Sequence, residues 1–432
     1  MINQYDIAYG VGVGLAAPFW LLNPSARRKV FSAYRQRMGH VAPRDVSNTA
    51  VMIHAVSLGE INSTRVLVDS LRAARPGLQF IVSVTTETGF ARGRDLYGAA
   101  PDVTLVRFPL DFSSAVDRLL DTLRPAVVVL LELEVWPNFI HGCATRHIPV
   151  LLINGRVSAG SFGRYRMARP ILGGVFRGLD RACVQDETYA IRFRELGVPP
   201  DRVIVTGTMK FDTAQIGQRM DGQEELASAV GLSSGAQRIW VCGSTGPGEE
   251  AILLPIYKRL LERFADLQLV IVPRKPERFD EVARLIQSGG FGLIRRSNPQ
   301  PVGPSPSVVL GDTMGELRKF YALADLVFVG RTLVDQGPKQ HGSDMIEPAA
   351  LGKPVIVGPF TANFADAMER FSSARAIEVI ADPSGLEVSA ARLLAEPQKA
   401  RAMGAAAQQV VRESQGATQR HVKIILDALQ SV

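Results

Sequence analysis

Residues 50–74 read AVMIHAVSLGEINSTRVLVDSLRAA, and the fold turns on the change of rhythm inside them. Ala50 to Val56 is an apolar run that halts at Ser57-Leu58-Gly59. Glu60 then opens a segment in which Leu67, Val68, Leu71 and Ala74 recur at helical spacing. A strand feeding a helix is expected, with a carboxylate at the turn where a phosphate-binding loop would carry further glycines. The alternation continues through LQFIVSV, VTLVRF, AVVVLLE, PVLLIN, RACVQ and VIVTG, with helical segments after Gly89, Ser113, Trp136, Ser158 and Glu187. Strands apolar on both faces and separated by helices predict a parallel sheet covered on both sides.

The rhythm lapses over the polar residues 213–235 and resumes with RIWVCGS, LQLVIVP, GLIRR, SVVLGD, DLVFVG, PVIVG and AIEVI, before the chain ends in helical pattern. The predicted architecture is α/β, with two successive doubly wound, Rossmann-like domains. Residues 1–45 form an N-terminal segment, 46–212 the first domain, 213–235 a linker, and 236–432 the second domain with its C-terminal helices. Ligands of such sheets bind outside the carboxyl ends of the strands. Two of them are expected to face a central cleft. Glu60 falls at the carboxyl end of the first strand.

A chain of 432 residues, 46% hydrophobic and 21% charged, suits two globular domains. Its three cysteines (Cys143, Cys183, Cys242) are scattered, without metal-ligand spacing or a disulfide framework. The six histidines are dispersed too, so no metal is expected. The net charge of +7 is uneven: no acidic residue lies between Asp6 and Asp45, where Arg27, Arg28, Lys29, Arg35, Arg37 and Arg44 stand. Before them runs the apolar stretch Ile7 to Leu22, interrupted by Pro18 and carrying Phe19-Trp20. It reads either as a membrane-associating segment, its basic flank on anionic headgroups, or as a buried helix.

Two glycine clusters imitate nucleotide loops. GVGVG (Gly10 to Gly14) precedes no strand–helix unit, so packing of small residues explains it better than a dinucleotide fingerprint. GSTGPGEE (Gly243 to Glu250) has the glycine spacing of a P-loop but Glu249 where the phosphate lysine belongs. Ser244, Thr245 and the N–H groups there read either as an anion site or as a plain helix cap.

Charged residues at strand ends carry the chemistry. Glu60 at a helix start is expected to have its pKa lowered by the dipole, as suits a general base, or else simply stabilises its helix. VVVLLELEVWPNF ends a strand with Glu132 and Glu134, and GTMKFD places Lys210 where it could partner Glu132. In the second half, VPRKPERFDEV sets Arg274, Lys275 and Arg278 at a helix start, fit for a phosphate or carboxylate. Met314-Gly315-Glu316 and the turn from Asp344 to Glu347 open further helices, whose N–H groups suit phosphate while Glu347 suits ribose hydroxyls. GRYRMARP offers Arg164, Arg166 and Arg169 as a basic face.

HAVSLGE, TTETG, ELEVWPN, GRVS, TGTMKFD, PRKPERF, DTMGEL and EPAALGKPVIVGP follow one another in this order. Together they resemble the 3-deoxy-D-manno-octulosonic acid (Kdo) transferases, glycosyltransferases of the two-domain GT-B type. The likeness runs along nearly the whole chain. It implies transfer of Kdo from CMP-Kdo to a lipid A precursor with inversion, at the cytoplasmic leaflet of the bacterial inner membrane. By resemblance Glu60 is the catalytic base, and Glu132 and Lys210 stabilise the transition state. Donor binding falls to Ser244, Thr245, Pro273, Arg274, Lys275, Met314, Gly315, Glu316, Asp344, Met345, Ile346 and Glu347. Acceptor binding falls to Glu134, Arg156 and Arg164. No cofactor, metal or nucleic-acid partner is implied.

The chain departs from the family pattern in places. Gly246-Pro247 replaces a frequent histidine, Gly330-Arg331-Thr332 a Gly-Gly-Ser, Lys275 a histidine and Asp344 an asparagine. Arg331, Lys339 or His341 would compensate the added acid. Other readings are another GT-B nucleotide-sugar transferase or epimerase, and a non-catalytic membrane-bound scaffold.

Overall fold

The structure, a computed structural model, describes the chain except residues 1–2, 23–32, 234, 301–305, 338–340 and 432. The basic cluster Arg27-Arg28-Lys29 and Lys339 lie outside the described residues. Two compact units emerge, one of residues 1–213 with 415–432, the other of residues 214–414.

The first unit is a seven-stranded parallel sheet: β1 (Ala50–Ala55), β2 (Gln79–Val84), β3 (Val103–Arg107), β4 (Val127–Leu131), β5 (Val150–Gly155), β6 (Arg181–Val184) and β7 (Val203–Val205). Its order is β3-β2-β1-β4-β5-β6-β7, so the winding reverses between β1 and β4. Successive β1 residues point to opposite faces. Met52 joins Leu130, Phe139 and Leu119 in one core, while Val51 and Ile53 join Val129, Leu67 and Leu71 in another. Both faces are buried, which is why the strand reads as a continuous apolar run.

The expected division gave all C-terminal helices to the second domain. The helix Ala417–Gln430 instead belongs to the first unit. Its Val422, Ile425 and Leu429 recur at helical spacing and cap the core that holds Leu67 and Leu71. Buried His421 pins it, with Nε2 accepting from the Asn154 N–H at 3.2 Å and lying 3.1 Å from Thr206 Oγ1. Asp212 accepts from the N–H groups of Gly416 and Thr418 at 2.6 and 2.5 Å.

The second unit repeats the plan with β8 (Arg238–Thr245), β9 (Leu267–Pro273), β10 (Gly292–Arg295), β11 (Ser307–Leu310), β12 (Leu326–Val329), β13 (Val355–Val357) and β14 (Glu378–Val379). The order β10-β11-β9-β8-β12-β13-β14 puts the reversal between β8 and β12. The stretch read as a linker belongs largely here: it contains the helix Gln223–Ala229, and Leu226, Val230 and Leu232 are buried. Its few apolar residues sit at spacings that make one buried edge, which the polar composition concealed.

The apolar N-terminal run is one helix, Gln4–Leu22, which contains GVGVG and continues through position 18. Asp6 fastens its start by accepting from the Ser113 N–H and hydroxyl, both at 2.7 Å. The Tyr9 ring packs edge-on against Phe112 and Trp136, with centroids 5.1 and 6.4 Å away. Ile7, Val11, Leu15 and Leu22 are exposed. Among the described residues no helix is long and apolar enough to cross a membrane.

Candidate active site

At the carboxyl end of β1 the chain turns directly into the helix Leu58–Ala74, and the turn builds the first functional group. Ser57 caps the helix: its Oγ accepts from the Glu60 N–H at 3.3 Å. Glu60 answers with Oε1 on the Ser57 hydroxyl (2.7 Å) and N–H (3.3 Å), and with Oε2 on the Val56 N–H (2.9 Å). This reciprocal capping box fixes the carboxylate in one orientation. Oε2 accepts one bond and keeps a lone pair for a further hydroxyl. At a helix start a lowered pKa is expected. Burial and then the Glu132 charge raise it instead, opposed by the bonds to Val56 and Ser57. The helix dipole is outweighed by burial first and then by a second acid across the reversal of the sheet.

That second acid follows β4. Glu132 occupies the left-handed region at φ +59°, which for a side chain with a Cβ costs about 1–2 kcal/mol. Its Oε2 accepts from Arg156 Nε at 2.8 Å. Arg156 follows β5, the next strand in the sheet, and so brings a cation to Glu132. Lys210 lies beyond β7, its N–H on Thr208 Oγ1 at 3.3 Å. Two residues after Glu132, Glu134 accepts from Trp136 Nε1 at 2.9 Å. Burial, then Glu60 and Glu132, push its pKa up to about 7. Three carboxylates and Arg156 therefore gather where the winding of the first sheet reverses. Arg164 and Arg166 are exposed on the helix Ala159–Met167, beside exposed Met167, and Arg169 and Ile171 are exposed on the next helix, Arg169–Arg177.

Sequence reasoning missed His54. It is fully buried in β1, stacked on Phe108 with centroids 3.8 Å apart, and its Nδ1 lies 2.8 Å from Ser83 Oγ. Among the described residues its Nε2 makes no hydrogen bond, and it lies 3.9 Å from Glu134 Oε2. An ionisable residue inside an apolar strand was the available signal.

The second unit has its own set at the ends of β8, β9 and β12. The P-loop-like turn after β8 turns its Gly246 N–H inward. The buried Glu249 carboxylate collects it together with three N–H groups from the loop after β12: Gly246 (2.8 Å) and Arg331 (2.7 Å) on Oε2, Thr332 and Leu333 (both 3.0 Å) on Oε1. The protein thus supplies its own anion where a phosphate would sit. Thr245, expected to bind donor, is wholly buried and gives its hydroxyl to Glu250 at 2.7 Å. Ser244 is buried as well, in the left-handed region at φ +56°. Arg278, expected to join Arg274 and Lys275, instead makes a bidentate pair with buried Glu250 at 2.7 and 2.9 Å.

What remains at these strand ends is a mixed-charge surface. Pro273 closes β9, and Arg274 and Lys275 are exposed just beyond it. Arg331, half-buried at φ +61°, has its pKa lowered by burial and then by Arg274. Asp344 accepts from the Ile346 N–H at 2.8 Å, so one N–H expected to hold phosphate is already used; Met345 and Ile346 are buried. Glu347 is pushed up to about 7 by burial, then by Asp344, with Arg318 and Arg274 pulling it down. Gly315 takes φ +86°, which a side chain would resist, and leaves Met314 exposed. Glu316 is held by Thr313 Oγ1 at 2.5 Å and Arg296 at 3.0 Å. Burial would raise its pKa, but these partners bring it below the ordinary value.

Residues 32–213 match the family model described as 3-deoxy-D-manno-octulosonic-acid transferase (kdotransferase). The chain is 34% identical to a 3-deoxy-D-manno-octulosonic acid transferase of Bordetella pertussis, over 96% of each protein. It is 32% identical to that of Haemophilus influenzae, covering 88% of this chain and 87% of the relative. Among solved structures, a glycosyltransferase from Rickettsia africae aligns with a TM-score of 0.58 at 11% identity, over 89% of this chain and all of that one (100%). At such identity the likeness speaks for the fold alone, which is of the GT-B type.

Proposed function

The chain belongs to the 3-deoxy-D-manno-octulosonic acid transferase family and is a glycosyltransferase; from that premise we propose that it moves Kdo from CMP-Kdo to a lipid A precursor with inversion, using Glu60 as base. The observation that carries this is the Glu60 carboxylate. It is fixed by its capping box, keeps an acceptor lone pair, and is made more basic by burial and Glu132. The acceptor sugar hydroxyl gives its proton to Glu60 as its oxygen attacks the anomeric carbon of Kdo. The bond to CMP breaks on the opposite side, and CMP leaves with the electron pair.

CMP is a good leaving group once its phosphate charge is met. Arg274, Lys275 and Arg331 are the cations placed for it, and Glu347 and the Met314-Gly315-Glu316 turn for the nucleoside. Glu132 and Lys210 act on the transition state. Glu134, Arg156 and Arg164 hold the anionic acceptor. The exposed stripe Ile7, Val11, Leu15 and Leu22 supports peripheral attachment to the cytoplasmic leaflet of the inner membrane.

The test is incubation with CMP-Kdo and a tetraacylated disaccharide, read by mass spectrometry of the lipid. Addition of Kdo by the native chain and none by Glu60→Ala is expected. Turnover of a UDP-sugar with none of CMP-Kdo would overturn the reading.

A further inference from the structure

The segment that carries Lys210 is hydrogen-bonded to the far end of the chain. Residues 206–213 leave β7 as a loop that closes in the short 3-10 turn Phe211–Thr213. Before Lys210, the Thr206 carbonyl accepts from Arg420 Nε at 2.8 Å, and Thr206 Oγ1 lies 3.1 Å from His421 Nε2. After it, the Phe211 carbonyl accepts from Gln415 Nε2 at 2.9 Å. The next residue, Asp212, takes the N–H groups of Gly416 and Thr418, one on each carboxylate oxygen. Asn154 adds a strut from β5: its Oδ1 accepts from the Met209 N–H at 3.1 Å, and its own N–H donates to His421 Nε2. Gly207 turns at φ +85°, and a Cβ there would meet Arg420 Nη2 at 3.2 Å, so glycine lets the helix come this close. The helix is already packed on the sheet by Val422, Ile425 and Leu429. The bonds from residues 415–421 do something further, because they converge on one loop and its strut.

We propose that residues 415–421 form a positioning collar for Lys210, holding the backbone on both sides of it so that its ammonium is presented at one place in the reaction. Asp212, Gln415 and His421 are positioning residues that act through Lys210 and not on substrate. Thr206, Met209 and Phe211 are buried, so the bonds on both flanks are shielded from water and fix one loop geometry. Lys210 itself is only half-buried and keeps access to a ligand. The same His421 nitrogen steadies Asn154, two residues before Arg156, so the cations that follow β5 and β7 share one support. For its part in turnover the inference rests on the proposed role of Lys210; the anchoring of the loop does not.

Amide hydrogen exchange of the full chain reads the anchoring. In Asp212→Ala the amides of Met209 to Asp212 should exchange about tenfold faster while β1 to β4 stay as native. Exchange there within about twofold of native overturns the collar whether or not the chain transfers Kdo. Turnover reads the path through Lys210. Asp212→Ala should lower kcat about 10- to 100-fold with the KM for CMP-Kdo near native, and Asp212→Asn, which keeps one acceptor oxygen, should recover part of the loss. Gln415→Ala, which leaves Asp212 on the helix start, should show the same pattern with a loss of about threefold. Added to Lys210→Met, either alanine substitution should lower kcat by no more than about twofold, because the group it positions is gone. Losses as large on Lys210→Met as on the native chain would mark a general structural role and overturn the proposal. A Lys210→Met chain with native kcat would remove Lys210 from the reaction and the catalytic half of the inference with it, while the exchange result decides the anchoring by itself.

Discussion

Replacing Glu249 by glutamine tests whether the turn after β8 is held by the protein's own anion. The native carboxylate accepts four backbone N–H groups, two on each oxygen, at 2.7 to 3.0 Å, and is wholly buried. Glutamine keeps one acceptor oxygen and turns an NH2 toward two donors that are already there. Two buried N–H groups then lack an acceptor, at about 1–3 kcal/mol each, and the surviving pair loses its charge assistance. Relief of the buried charge offsets part of this, so a loss of about 2–4 kcal/mol is expected in the second unit. Glu249→Ala strands all four donors and should cost about 4 kcal/mol or more. A two-unit chain does not promise a single unfolding transition, so the assay is amide hydrogen exchange resolved to peptides. Exchange of Gly246 and of Arg331 to Leu333 should quicken by about two orders of magnitude in Glu249→Gln while β1 to β7 stay unchanged. Protection at those amides within about threefold of the native chain would refute the reasoning, because the N–H groups would then have other acceptors.

Glu60→Ala should abolish Kdo transfer while losing only the capping interactions, about 1–2 kcal/mol by thermal or denaturant unfolding of the first unit. Buried His54 and His421, with pKa values lowered to about 3 and about 4, must stay neutral in the fold although an unfolded imidazole protonates near 6.5. The unfolded chain then binds more protons below that value, so stability should fall as pH drops from about 6.5 toward about 4, by about 2–3 kcal/mol per histidine near pH 4.5, and His421→Gln should flatten part of the slope. Arg278→Met leaves buried Glu250 without its bidentate partner and should destabilise the second unit by about 3–5 kcal/mol, with Glu250→Gln added to it recovering part of the loss in denaturant melts. Exchanging Ile7, Val11 and Leu15 for serine should reduce co-sedimentation with anionic vesicles and leave the melting temperature near native, since all three are exposed.

The central strands were legible because they are buried on both faces and written in Val, Ile and Leu, and the edge strands β7, β10 and β14, only partly buried, because short apolar runs between turn residues mark them too. The positions of Glu60, Glu132 and Glu134 at strand ends followed from the same pattern. The Arg156–Glu132 pair did not. Arg156 reaches Glu132 because β5 lies beside β4, and adjacency in a sheet is not written in the period of either strand. The direction of the Glu60 shift was misjudged because only its own helix was visible, whereas burial and Glu132 come from the assembled sheet. GSTGPGEE showed a glycine turn and an acid, but not where the acid finds its donors, because three of the four arrive from the loop after β12. His54 passed unnoticed because one histidine barely alters the hydropathy of AVMIHAV. The unit to which the last helix belongs was not legible, because proximity in sequence is not proximity in space.

The return of residues 417–430 to the first unit has a consequence for biosynthesis. At about 5–20 residues per second, roughly 10–40 s separate emergence of the last residues of β7 from emergence of that helix. During the interval one side of the nascent sheet, around Val51, Ile53 and Leu71, lacks its cover and invites chaperones or aggregation. The amino-terminal half is therefore a late finisher on the ribosome, although it is translated first.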